Sequence, residues 1–247
     1  MVARARPAYP EELFDDLMRP ARLGQGSQVL EIGPGTGQAT QDLAGRGLAV
    51  TAVERGASLA RKLQEQVSGS AVAVAHALFE TWPLPLTRFD AVASFTAWHW
   101  PDPEVRAGKA HAALRPAGVL ATVTTSHVRG GSVDFFEQAQ ECCELWDPST
   151  PPGLCLTESS TVPEAVDEVD VSPLFGPPLC QRYEQELSYT TTEYLDLLMT
   201  YSGHRSLPRP AQRGLLGCIK DLIDSRHGGV VTKRYLHEMR IAAVARH

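Results

Sequence analysis

At 247 residues, 43% of them apolar and 21% charged, the chain has the size and composition of one large α/β domain with insertions. Its net charge of −6 disfavours a nucleic-acid partner, because neutralised phosphates supply most of such affinity and demand a surplus of Lys and Arg. No apolar run approaches the roughly 20 residues of a spanning helix, and no apolar stretch follows Arg4 and Arg6. A membrane partner and a signal peptide are therefore not expected, and the cytoplasm is the expected compartment.

Glu11 to Met18 reads as a helix. Ser27 to Gly33 reads as a strand that runs into a glycine-rich turn, followed by a helix over Thr36 to Arg46 and a second strand over Ala49 to Glu54. Ala57 to Val67 has helical periodicity and Ala71 to Ala77 strand length. Phe89 to Phe95 and Gly118 to Thr124 complete five strands, with a helix over Glu104 to Leu114 between them. Short apolar strands separated by helices imply a parallel sheet covered on both faces. Val133 to Trp146 reads as a helix. Asp147 to Pro178 is acidic and punctuated by Pro148, Pro151, Pro152, Pro163, Pro173, Pro177 and Pro178, as lids and substrate loops often are. Cys180 to Tyr189 reads as a strand, Thr191 to Tyr201 and Pro208 to Arg226 as helices, and Val230 to Val244 as a last strand, antiparallel beside its neighbour. The five cysteines, Cys142, Cys143, Cys155, Cys180 and Cys218, are odd in number and lack Cys-x-x-Cys spacing, so neither a disulfide framework nor a zinc knuckle is indicated. Cys142 and Cys143 read as half-buried small residues on a helix rather than a redox pair.

The strongest local signal is Glu31-Ile32-Gly33-Pro34-Gly35-Thr36-Gly37. Closely spaced glycines between a strand and a helix let the backbone approach a ligand, and the helix that follows points free N–H groups at it. Glu31 lies where a side chain can reach a ligand amine. Glu54 ends the next strand, where a carboxylate can accept from both hydroxyls of a ribose. A dinucleotide pyrophosphate would be repelled by Glu31, and Gln38 stands where its fingerprint needs a last glycine. Both departures favour S-adenosylmethionine over NAD.

This turn resembles motif I of class I S-adenosylmethionine-dependent methyltransferases, and Glu54 resembles their ribose-binding acid. Phe79 to Pro85 is similar to the segment that meets the adenine, Phe89-Asp90-Ala91-Val92 to the fourth-strand motif, and Leu114-Arg115-Pro116-Ala117-Gly118 to the turn before strand five, with Ala117 in place of the usual glycine. The ordered set covers roughly residues 5 to 125. Arg6-Pro7-x-Tyr9-Pro10, Ala97-Trp98-His99-Trp100, Tyr194 to Ser202 and Gly228-Gly229-x-Val231-Thr232-Lys233 resemble an actinobacterial small-molecule branch, of the methyltransferase domain 11 and 25 type.

The resemblance implies a Rossmann-like seven-stranded sheet of order 3-2-1-4-5-7-6 with strand seven antiparallel, helices on both faces and a lid-like insertion. It implies one methyltransferase domain over 1–247: a cofactor-binding half over 1–125, an insertion over 126–178 serving as substrate lid, and a C-terminal sheet edge with helices over 179–247. Its cofactor is S-adenosylmethionine, leaving as S-adenosylhomocysteine, and the implied cofactor-binding residues are Tyr9, Glu31, Gly33, Pro34, Gly35, Thr36, Gly37, Glu54, Arg55, Phe79, Glu80 and Thr96. The expected substrate is a small molecule, with oxygen only slightly preferred over nitrogen or carbon as acceptor and secondary metabolism as the setting.

Methyl transfer from a sulfonium needs positioning, desolvation and, for a hydroxyl acceptor, a base. His99, just after strand four, is the candidate catalytic residue; the alternative is that it packs between Trp98 and Trp100. Trp98, Trp100, Tyr201 and His204 are candidate substrate contacts, each with an ordinary packing or structural role as its alternative. The remaining histidines share no metal-binding spacing, and no metal is expected. Ser94-Phe95-Thr96-Ala97 lacks the Asn/Asp-Pro-Pro-aromatic tetrapeptide of base and glutamine methylation, and no cysteine precedes Cys142 to serve cytosine carbon methylation. Two other functions stay open: binding of S-adenosylmethionine without methyl transfer, and NAD(P)-dependent oxidoreduction. Oligomeric state, monomer or homodimer, is left open by the sequence.

Overall fold

A computed structural model describes residues 8–245. Arg6 and Pro7 of the first quoted segment lie outside the described residues. The seven strands form one sheet of order β3-β2-β1-β4-β5-β7-β6: β1 Gln28–Ile32, β2 Ala49–Glu54, β3 Val72–His76, β4 Phe89–Phe95, β5 Leu114–Gly131, β6 Leu179–Thr190 and β7 Val230–Ala243. The helices are α1 Glu11–Ala21, α2 Gln38–Gly45, α3 Ala57–Gln66, α4 Pro103–Ala113, α5 Val133–Trp146, α6 Glu168–Val171, α7 Thr191–Leu198, α8 Ser202–Ser206 and α9 Arg209–Arg226.

The chain divides into two compact units. The first comprises Ala8–Thr125, Glu164–Tyr183 and the described residues from His237 to Ala245; the second comprises Ser126–Pro163 and Glu184–Leu236. β5, β6 and β7 contribute residues to both.

In the first unit β1 pairs in parallel with β2, from Gln28 opposite Ala49 to Ile32 opposite Val53, and with β4, from Val29 opposite Ala91 to Glu31 opposite Ala93. β3 and the start of β5 extend the parallel array on either side. Every residue of β4 is buried, as a central strand covered on both faces requires. Side chains alternate between two cores. Val29, Ala52 and Ala93 pack with Leu13, Phe14 and Leu17 of α1 and with Leu43 and Leu63 of α2 and α3. Leu30, Val53 and Val92 pack with Ala107 and Ala110 of α4 and with Val169 and Phe175. Asp90 ties β4 to its neighbours, accepting from the Gln28 backbone N–H at 2.6 Å and pairing with Arg115 at 2.7 Å.

The acidic segment after Asp147 has little regular structure: a 3-10 turn over Ser159–Thr161 and the single turn of α6. Its acids have a structural use in the first unit. Glu168 receives both Nε and a terminal nitrogen of Arg106, and Asp167 and Asp170 pair with Arg240, two arginines less than 10% exposed. A buried guanidinium needs such partners.

In the second unit α5, α7 and α9 enclose Phe135, Leu197, Leu215, Ile219 and Ile223. Thr190 and Glu193 close a capping box at the start of α7. Cys142 is bonded to Cys218, joining α5 to α9 across 76 residues with the Cα atoms 5.9 Å apart. This corrects the cysteine expectation: one cross-link exists, and its two residues are too far apart in sequence for spacing to show it. Cys143 is half-buried, as expected for its place on the helix.

Two further differences have local causes. β5 runs for 18 residues, far beyond Gly118 to Thr124, because Thr125, Ser126 and His127 continue the strand with polar side chains that hide it from a hydrophobicity pattern. The helix expected over Thr191 to Tyr201 stops at Leu198, and a separate turn of helix begins at Ser202.

Candidate active site

The order β3-β2-β1-β4 places a topological switch between β1 and β4, and ligands of open α/β sheets bind beyond the carboxyl ends of such strands. The glycine turn sits there. Gly33, Gly35 and Gly37 all have positive φ (69°, 60° and 86°), a region costly for side-chain-bearing residues. A Cβ on Gly33 would lie 2.5 Å from that of Ala97, and one on Gly37 would lie 2.4 Å from Leu63 Cδ1. Pro34 closes the turn, its carbonyl accepting from Gly37 N–H at 2.9 Å. Thr36 spends its hydroxyl on Gln38 at 2.8 Å, and Gly37 caps α2 without a side-chain bond.

Two buried carboxylates flank this turn. Glu54 accepts from Gly35 N–H at 3.0 Å and from Gly56 N–H at 2.7 Å, so the backbone holds one donor on each oxygen and leaves further lone pairs. Glu31 is 1% exposed and accepts from the Thr40 hydroxyl at 2.6 Å. Burial pushes its carboxyl up to about 7, with the Thr40 bond opposing and the charge of Glu54 adding to the rise. No cation pairs with either acid among the described residues. An acid kept buried without a counter-ion fits a ligand that brings its own positive charge.

At the end of β4, Thr96 has φ 55°, unusual for a β-branched residue. Its N–H donates to Val123 O at 2.7 Å, and its hydroxyl hydrogen-bonds with Tyr9 at 3.0 Å and Thr125 at 3.1 Å. Thr125 in turn meets His237 Nδ1 at 2.9 Å. The Tyr9 ring lies 5.1 Å from Phe95 and 5.3 Å from His237. Burial pushes His237 down to about 4, so the neutral imidazole anchors a chain of hydroxyls that fixes Tyr9.

The other anticipated residues have varied surroundings. His99 is exposed, its ring 5.0 Å from that of Trp100. Trp100 is 57% exposed with Arg55 over its face at 5.6 Å, whereas Trp98 is buried beneath Arg106. Phe79 is buried against Lys109, and Glu80 accepts from Asp102 N–H at 2.9 Å ahead of α4. In the second unit Tyr201 accepts from Lys233 Nζ at 3.0 Å, and His204 Nδ1 lies 3.2 Å from the Leu198 carbonyl. Thr40, Thr125 and His237 were not singled out by sequence reasoning. A threonine one turn into a helix and a histidine inside an apolar strand carry no motif, and only the fold brings them to the site.

A sheet of this order, with a glycine turn flanked by two buried acids, defines a class I S-adenosylmethionine-dependent methyltransferase domain. Residues 29–118 match the family described as methyltransferase domain. An uncharacterized methyltransferase of Mycobacterium bovis is 36% identical over 120 residues, 49% of this chain and 47% of that protein. The chain thus aligns with about half the length of this relative. An rRNA adenine N-6-methyltransferase of Corynebacterium diphtheriae is 46% identical over 59 residues, 24% of this chain and 23% of its own. Across nearly the full length, a solved protein of Anaeromyxobacter dehalogenans, provisionally assigned as a type II methyltransferase, superposes with a TM-score of 0.65 at 26% identity, covering 97% of each chain. The chain carries a class I methyltransferase domain, and S-adenosylmethionine is the cofactor of that class. Among the described residues no helix is long and apolar enough to cross a membrane.

Proposed function

We propose that the chain transfers the methyl group of S-adenosylmethionine to a small-molecule acceptor. The carrying observation is the pair of buried acids at the glycine turn: Glu54 is oriented by two backbone N–H groups, and Glu31 is buried without a counter-ion. When bound, the cofactor supplies an activated methyl group on a sulfonium. Glu54 would accept from the ribose hydroxyls and Glu31 would receive the cationic amino-acid end; Gly35, whose missing Cβ faces open space, would let the backbone approach the ligand, while Gly33 and Gly37 let the turn pack against Ala97 and Leu63. Tyr9, held by Thr96, closes the cofactor side against water. A hydroxyl acceptor is the preferred class because it uses a base, and His99 beyond β4 takes that role. The segment over 126–178 acts as the substrate lid.

A second reading, methylation of an RNA adenine, is favoured by the local identity to the rRNA enzyme. Against it stand the net charge of −6 and the missing proline pair after β4. Titration calorimetry with S-adenosylmethionine, S-adenosylhomocysteine and NADH tests the reading. Binding of the first two, weakened by about 1–3 kcal/mol in Glu54→Ala, is the expected outcome; NADH binding alone refutes it. His99→Ala should slow turnover more than it weakens cofactor binding, and equal loss of both would make His99 structural. Labelled methyl donor incubated with rRNA and with small phenols separates the two acceptor classes.

A further inference from the structure

The second unit holds a buried cation that the methyl-donor chemistry does not use. Lys233 on β7 is 5% exposed. The other Lys, Arg and Glu side chains of β7 meet opposite charge: Arg234 pairs with Glu184 and Glu186, Glu238 with Arg182, and Arg240 with Asp167 and Asp170. Lys233 has no such partner among the described residues, and the sequence before Ala8 contains no acid. Its ammonium instead donates to Tyr201 at 3.0 Å and lies 5.2 Å from the ring centroids of both Tyr201 and Tyr235. Water-free burial of an ammonium usually demands a carboxylate, since ring faces and one hydroxyl recover only part of the lost hydration.

Beside it, His127 Nε2 is buried without a hydrogen-bond partner. The imidazole sits edge-on to Phe136 at 4.4 Å and is held neutral by burial and by the Lys233 charge. The cluster thus gathers spare donors, two from Lys233 and one each available from Tyr201 and His127, inside aromatic walls. It has an excess of donors and no anion. Tyr201 and Lys233 lie in two segments that carry the family resemblance, Tyr194 to Ser202 and Gly228 to Lys233.

We propose that Lys233, Tyr201 and His127 form a binding site for the carboxylate of a small aromatic acid. The ammonium supplies the charge, Tyr201 and His127 the directional donors, and Phe136 and Tyr235 the surface for a ring. This site stands independently of the methyl-donor reading, and its test needs no cofactor.

Thermal melts and calorimetry with benzoate and salicylate, at constant ionic strength, make that test, with benzamide as the uncharged control. Both acids should raise the melting temperature saturably while benzamide does not, because a ligand that binds only the folded state stabilises it. Lys233→Met should melt above the wild type without acid, being relieved of an unpaired buried charge, and should lose the response. Tyr201→Phe should retain the response with affinity weaker by about tenfold. Absence of binding by either acid at millimolar concentration in the folded wild type overturns the proposal. So does an equal effect of benzamide, or a Lys233→Met protein that responds like the wild type. If Lys233→Met does not fold, the wild-type and Tyr201→Phe titrations decide alone.

Discussion

The two units bury uncompensated groups of opposite sign. Around the glycine turn the buried groups are acids, Glu31 and Glu54, held by backbone N–H groups and a threonine hydroxyl. In the second unit the buried group is an ammonium, Lys233, held by a tyrosine. The first arrangement rests on backbone geometry: strand register, positive-φ glycines and a helix N-terminus dictate it. The second rests on side chains brought together from β5, β7 and the turn after α7, in a unit further tied by a disulfide. The contrast teaches that a charge built beside a glycine-rich strand–helix turn can be read from spacing, while a charge built from separated side chains cannot.

The largest expected effect tests how far the second unit depends on its cross-link. Closing a 76-residue loop removes chain entropy from the unfolded state, so reduction of Cys142–Cys218 should lower stability by about 4 kcal/mol in urea titrations. Cys142→Ser should be equally destabilised and insensitive to reductant. Titration of all five cysteines as free thiols in the unreduced, denatured protein would show that the bond does not form.

The next prediction probes the sign of the charge at the glycine turn. With Glu31 raised from 4.5 to about 7, the folded chain binds more protons than the unfolded chain between those values. Its contribution to stability is therefore present below 4.5 and lost as pH rises through 7. Glu31→Gln removes that slope, so the variant should exceed the wild type by about 3 kcal/mol at alkaline pH, the gap closing under mild acid. A cationic ligand favours the ionised acid, so wild-type affinity for S-adenosylmethionine should rise with pH through neutrality. A flat affinity profile by calorimetry would remove Glu31 from the cofactor's cationic end.

The smallest effect concerns backbone alone. Ala117 occupies φ 64° at an exposed position near the start of β5, so Ala117→Gly should stabilise the first unit by about 1 kcal/mol. Unchanged stability would mean that the strand relaxes around the methyl group at no cost.

By itself the sequence determined the strands of the first half in chain order, the glycine turn, and the positions of Glu31 and Glu54, because these follow from periodicity and short-range spacing over two strands and the helix between them. Ala117 stood out against its motif, and its left-handed backbone explains why glycine is usual there. Tertiary structure alone decided the hydroxyl chain from Tyr9 through Thr96 and Thr125 to His237, the pairing of the insertion's acids with Arg106 and Arg240, the Cys142–Cys218 bond, and the isolation of Lys233. Each joins residues tens of positions apart. Whether such a group is paired, buried or stranded depends on which neighbours the folded chain brings within a few ångströms, a property that no local pattern encodes.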